Sequence, residues 1–274
     1  MARSTAARLE PGTRPPLTWA ERTGGILFFH ATVLRRTWRG DVVSAFLTPV
    51  LFLAAMGIGV GTLVDTASGG IEGVAYLPWV VPGIVMSSAM QWAVNESTWP
   101  VLTFLKRNEM YAVMLTAPHR VGDVLRGHWL MIAARITWSA MVFIGVAALF
   151  GGVGSWWALL GVPIAVLTAM AFTAPLFAIA ARLTRDEGFT TIFRIVITPL
   201  MLFSGTFFPI AALPVWLQPI PWVTPLWHGT ALARSAFLGQ PAPPWWWLHV
   251  GVLLAWIVIG YRLALRAFTD RLAA

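Results

Sequence analysis

Cysteine is absent from this chain of 274 residues, which excludes structural disulfides and thiolate chemistry. Lysine occurs once, at Lys106 within "FLKRN", away from any glycine-rich run. A phosphate-binding loop places a lysine after its glycines, so the chain cannot by itself be a standard nucleotide-driven pump. Charge of either sign is scarce: 11% of residues are charged, against about 25% in ordinary soluble chains. That is too little polar surface to cover a water-soluble fold. Five scattered histidines, with no metalloprotease spacing and no cysteine beside them, give no metal constellation. "GVGSWW" at Gly152 lacks the nucleophile-elbow pattern and reads as an outer turn. The first 24 residues hold four arginines and no apolar h-region, so they are not a signal peptide. They read as a cytoplasmic extension, disordered over 1–16.

What is present is apolar: 58% of residues are hydrophobic, with sixteen tryptophans and sixteen phenylalanines. A hydrocarbon core about 30 Å thick needs roughly 20 helical residues, since lipid offers an open backbone no partner. Six segments approach that length, near 42–63, 77–99, 128–150, 156–181, 191–208 and 244–261. The expected fold is all-α and polytopic. It has six transmembrane helices over 42–264, a cytoplasmic tail over 265–274, and an amphipathic interface helix over 17–41. In that helix Ile26, Phe29, Val33 and Thr37 recur at three or four residues. An ordinary juxtamembrane run is the alternative. Between the fifth and sixth spans, Pro209, Pro214, Pro219, Pro221 and Pro225 interrupt an apolar stretch. Residues 209–240 therefore read as an outer re-entrant region of one or two short helices. No internal repeat suggests an inverted-repeat carrier.

The net charge of +8 sits beside the spans, which points to membrane anchoring and not to nucleic acid. Arg3, Arg8, Arg14, Arg22, Arg35, Arg36 and Arg39 precede the first span, and Lys106, Arg107, Arg120 and Arg126 separate the second from the third. Arg182 and Arg185 lie between the fourth and fifth, and Arg262, Arg266 and Arg271 follow the sixth. The opposite loops hold Asp65, Glu72 and a single arginine, Arg234. Both termini are expected in the cytoplasm. Trp245, Trp246 and Trp247 fit an interfacial anchor at the outer end of the last span, or part of a substrate surface.

Two intramembrane charges are brought near each other by this arrangement: Glu96 late in span two and Arg135 two turns into span three. A structural ion pair, snorkelling to the interface and a role in transport are the open readings. The cytoplasmic loop over 100–127 breaks the apolar pattern with "RNEMYAVMLTAP". Met110, Val113, Met114 and Ala117 make an apolar stripe, Arg107 and Glu109 flank its entrance, and Pro118 is placed to end the helix. Such a helix either docks a soluble partner in a groove or rests on lipid.

"YAVMLTAPHRVGDVLRG" at 111–127 resembles the cytoplasmic loop of bacterial ABC-2 type exporter permeases, closest to the nodulation-factor (lipo-oligosaccharide) and daunorubicin exporter subunits. "TPLMLFSGTFFPIAALPVWLQPIPWVTPLWHGTALAR" at 198–234 is similar to that family's late signature. The resemblance implies a six-span subunit in a bacterial plasma membrane, working as a dimer. A separate cytoplasmic ATPase, two copies in all, would carry ATP and Mg, leaving this chain without a cofactor. Arg107, Glu109, Met110, Val113, Met114 and Pro118 would contact that ATPase, with Glu109 in the place of the family's glutamate-rich element. Gly205 and Pro209 allow an irregular outer end to span five, where Phe203, Phe207 and Phe208 line an apolar portal or pack against lipid or a second subunit. Aromatic crowding suits an amphipathic cargo: a lipid-linked saccharide, a lipid or a hydrophobic drug. The expected function is a permease moving such a molecule outward; an energy-independent scramblase or channel and a membrane anchor for a cytoplasmic enzyme are the alternatives.

Overall fold

The computed structural model describes residues 18–183 and 187–272; the expected tail over 1–16, Arg3, Arg8, Arg14 and Arg185 lie outside them. Among the described residues every regular element is a helix, apart from one isolated bridge between Ile71 and Val74. Five stretches are long and apolar enough to cross a bilayer: Ala45–Ser68, Tyr76–Lys106, Val121–Leu149, Trp156–Arg182 and Trp246–Leu272.

The first helix, α1 (Trp19–Leu53), opens on a capping box in which Glu21 N donates to Thr18 Oγ1 and Thr18 N donates to Glu21 Oε2. It runs through the expected boundary at residue 41 without a break, so interface helix and first span are one rod. Nothing between 35 and 44 can stop it, for Gly40 weakens a helix by only about 1 kcal/mol and no proline is present. π-helical turns over Ala54–Gly61 then carry it into α2 (Thr62–Ser68), which ends at left-handed Gly69.

Asp65 Oδ1 accepts from the backbone N–H of Tyr76 at 2.8 Å and so caps α3 (Tyr76–Ser97). Pro100 starts α4 (Trp99–Lys106) in its first turn. The short α5 (Met110–Leu115) precedes α6 (Val121–Leu149). At 29 residues α6 is about 44 Å long, so it reaches beyond a 30 Å hydrocarbon core. A 3₁₀ turn leads into α7 (Gly161–Arg182), whose last carbonyls, Ala181 and Leu183 beyond it, accept from Arg271 Nη1.

The fifth span departs from expectation. Residues 187–203 form three consecutive pieces of six, five and six residues: α8 (Glu187–Ile192), a π turn (Phe193–Ile197) and α9 (Thr198–Phe203). Together they extend about 25 Å, short of a full crossing. Pro199 supplies the reason. It lacks an N–H and crowds the carbonyl four residues back, and the wider π turn absorbs the misfit while Thr198 N reaches Phe193 O.

Of residues 209–240, the stretch before α11 is largely exposed: α10 (Pro219–Val223) leaves Ile220, Trp222 and Val223 uncovered. α11 (Pro225–Leu238) packs into the bundle and buries Leu226, His228, Thr230, Ala233 and Phe237. Gly229 permits this: a Cβ there would stand 2.0 Å from Thr168 Oγ1 on α7. The last helix, α12 (Trp246–Leu272), crosses α7 where Gly260 meets Ala174 and Pro175. α3 and α7 form the interior, whereas α1 exposes Val43, Phe46, Leu51 and Leu63 is exposed on α2.

Candidate partner-docking site

The arginine-rich end of the bundle carries the charged loop. Its geometry starts at α4, where the N–H groups of both Arg107 and Asn108 donate to Thr103 O. Glu109 then adopts φ 45°, a left-handed conformation unfavourable for a side chain with a Cβ, and the chain reverses into α5. Six residues do not hold a helix in water alone. α5 persists because one side is fastened.

The fastener is Tyr111, only 1% exposed. Its Oη and His128 Nδ1 on α6 share a hydrogen bond at 2.7 Å. Its ring meets Phe104 of α4 and Phe268 of α12 edge-on, at 5.6 and 5.5 Å between centroids. His128 in turn lies against His30 of α1, 4.5 Å between ring centroids. One turn earlier, buried Asp123 accepts from Arg22 Nε of α1 at 2.9 Å, from the backbone N–H of Arg120 at 3.0 Å, and from Arg126 Nη2. Ile26 sits between these contacts, against Gly127, where a Cβ would come within 2.4 Å of it. Arg22, Ile26 and His30 are thus an i, i+4, i+8 stripe of α1 fitted to the foot of α6. α5, the start of α1, the foot of α6 and the end of α12 meet here.

The opposite side of α5 is bare. Arg107, Glu109, Ala112, Val113, Thr116, Ala117 and Pro118 are exposed, Val113 at 56%. This divides the expected apolar stripe. Met114 is buried and Met110 half-buried, while Val113 and Ala117 face out. Tyr111 takes the inward position, and 100° of turn per residue then carries Met114 in with it. The helix ends at Leu115 with Thr116 as its cap, two residues before Pro118.

Arg135 Nη1 donates to Glu96 Oε1 at 2.7 Å, joining spans two and three, and its guanidinium lies 5.6 Å from the Trp92 ring centroid. At the other end of the molecule, Phe203, Phe207, Phe208 and Pro209 are all half-buried, and Phe207 packs at 6.3 Å against Phe52 of α1. Gly205 is buried at φ 75°, and its carbonyl accepts from Arg234 Nη2 at 2.8 Å. The Arg234 guanidinium stacks 3.9 Å over Trp79, whose indole N–H donates to Glu72. Ser204 and Thr206 are buried and share a hydrogen bond at 2.9 Å, and Thr206 bonds Ser87 of α3 at 3.1 Å. The turn after α9 is therefore tied to α3, leaving the phenylalanines on its rim. Sequence reasoning missed Tyr111, His128, His30, Asp123 and Arg22 at the foot, and Trp79 at the outer turn. An acid in the first turn of an apolar helix, between Arg120 and Arg126, was the one signal available for Asp123.

The sequence profile of the family described as "ABC-2 type transporter" matches residues 30–238. The chain is 30% identical over 240 residues to "Nodulation protein J" of Rhizobium leguminosarum bv. viciae, covering 86% of this chain and 90% of that protein. The counterpart from Rhizobium leguminosarum bv. trifolii is 30% identical over 256 residues, covering 91% and 95%. "Inner membrane transport permease YadH" of Escherichia coli (strain K12) is 26% identical over 258 residues, covering 87% and 95%. A multi-span apolar bundle that presents a fastened helix at its basic end, matched by this profile over most of its length, belongs to the ABC-2 type transporter family as a membrane transport permease.

Proposed function

We propose that this chain is the transmembrane subunit of an ATP-driven exporter whose ATPase docks on the bare side of α5. The observation that carries the reading is the two-sidedness of that helix: Tyr111 and Met114 are buried in the bundle while Val113 and its neighbours face outward. A partner pressing on such a helix moves the foot of α6 and the end of α12 together. Charge at Arg107 and Glu109 sets register, and the small side chains of Ala112, Val113 and Ala117 admit close approach. The ATPase supplies ATP and Mg chemistry, and both termini of the permease lie on its side of the membrane. A second copy completes the transport unit, as the family resemblance implies. The cargo is amphipathic, a lipid-linked saccharide, lipid or hydrophobic drug, and it leaves past the rim formed by Phe203, Phe207, Phe208 and Pro209. Export needs only that cargo affinity differ between the inward and outward states.

The test is co-purification with an ABC ATPase followed by ATP hydrolysis and cargo export in reconstituted vesicles. Reversing both charges, Arg107→Glu with Glu109→Arg, is expected to uncouple hydrolysis from export while the chain still inserts. Undiminished export with normal complex yield would reject the docking assignment. Lipid movement by the chain alone without ATP would make it a scramblase, and no cargo movement with the ATPase bound would make it an anchor.

A further inference from the structure

A cavity of about 540 Å³ lies between α7, the 187–203 rod, the α10–α11 turn and α12. Phe172, Leu176, Ile179, Val196, Leu200 and Trp256 supply much of its wall. The two lining side chains that carry a polar atom are both engaged: Thr224 donates its hydroxyl to Pro221 O at 2.8 Å and Trp256 its indole N–H to Val223 O at 3.3 Å. No donor or acceptor side chain is left to hold water, and a wholly apolar cavity stays dry. Left empty, it would forfeit dispersion contacts along every wall. An apolar chain from the surrounding bilayer meets both conditions.

Charge at one end selects the kind of chain. Phe172, Leu176 and Ile179 follow one another at helical spacing on α7, and the same face reaches exposed Arg182 one turn later. From Phe172 to Ile179 this wall runs about 10 Å along the helix. This wall therefore ends on a cation, while the interior of the cavity is greasy.

We propose that this cavity seats one acyl chain of an anionic phospholipid from the leaflet on the Arg182 side, with its phosphate against Arg182. The inference goes beyond the transport reading and holds whether or not an ATPase partner exists.

The experiment counts retained lipid by native mass spectrometry on the purified full chain, loaded with dioleoylphosphatidylglycerol or dioleoylphosphatidylcholine. The wild-type chain is expected to keep one phosphatidylglycerol per copy in preference to phosphatidylcholine. Arg182→Gln, an exposed change, should lower that retention about fivefold, the factor for one basic side chain at an anionic surface. Leu200→Trp should lower retention by narrowing the cavity, and Leu254→Trp, exposed on α12, should leave it intact. Because Leu200→Trp can disturb folding, a second reading uses Val196→Cys in the naturally cysteine-free chain, labelled with bimane. Acyl-brominated phosphatidylglycerol should quench that label, and less so after Arg182→Gln. Equal retention of the two lipids, or retention unchanged by Arg182→Gln, overturns the proposal. Disulfide formation between Val196→Cys copies with no retained lipid would give the cavity to a second copy and overturn it equally.

Discussion

Removing one oxygen from Tyr111 tests whether α5 is held from within. Tyr111→Phe keeps the ring, and with it the edge contacts to Phe104 and Phe268, but deletes the hydroxyl 2.7 Å from His128 Nδ1. His128 is 3% exposed, so water does not replace the lost partner. A buried group left without its bond costs about 1–3 kcal/mol. Because a six-residue helix has little stability of its own, that loss falls on the opening of α5 and not on the whole bundle. A 2 kcal/mol loss raises the population of the open form about 30-fold. Hydrogen exchange of the amides over 110–115 is the direct assay, read in nanodiscs with and without the ATPase. The account predicts faster exchange confined to that helix and weaker coupling of hydrolysis to export. Unchanged exchange at 110–115 in the variant would refute the fastening argument, whatever happened to transport.

Other expectations follow from the same foot. Asp123→Asn strips the charge that binds Arg22 and Arg126, and thermal unfolding should report a loss of about 1–2 kcal/mol, since the arginines left behind, 17% and 44% exposed, keep access to water. Combining it with Arg22→Ala should cost less than the two single losses added together. Glu109→Gly keeps the left-handed turn and removes the strain, so the bundle should gain about 1 kcal/mol in unfolding experiments. If Glu109 also meets the ATPase, the same variant loses coupling despite its added stability. His30 lies in α1 before the apolar stretch Ala45–Ser68, and burial, then the nearby charge of Arg135, push it down to about 4. Below its ordinary value near 6.5 the unfolded chain binds a proton that the folded chain does not. Stability should therefore fall as pH drops from about 6.5 to about 4 and then level, and His30→Phe should flatten that slope in a melting series.

The spans were legible where a long apolar run was the only demand. Two of the six expected segments, 77–99 and 156–181, fall within long apolar helices at 76–106 and 156–182, and three more overlap those at 45–68, 121–149 and 246–272. The 191–208 segment looked equivalent by composition, yet Pro199 gives its backbone a π turn, and the helix stops at Phe203 just before left-handed Gly205. The continuity of α1 was invisible because charge marks an interface but does not stop a helix. At the docking loop, the charges and the helix were readable locally. The direction of its face was not, because it is set by partners from distant parts of the chain: Phe268, His128 and, behind it, His30. Tyr111 reads as one apolar residue among several until the cavity it fills is known. Glu96 and Arg135 were placed near one another by counting turns in antiparallel spans, and they meet at 2.7 Å.

The central claim is that the outward side of α5 faces the cytoplasm, where an ATPase can reach it. The cysteine-free background makes Val113→Cys a unique reporter at a site 56% exposed. A membrane-impermeant maleimide applied to intact cells should leave it unlabelled, whereas inverted vesicles should label it rapidly, and bound ATPase should then protect it. Labelling in intact cells would put the helix on the wrong side of the membrane and contradict the account.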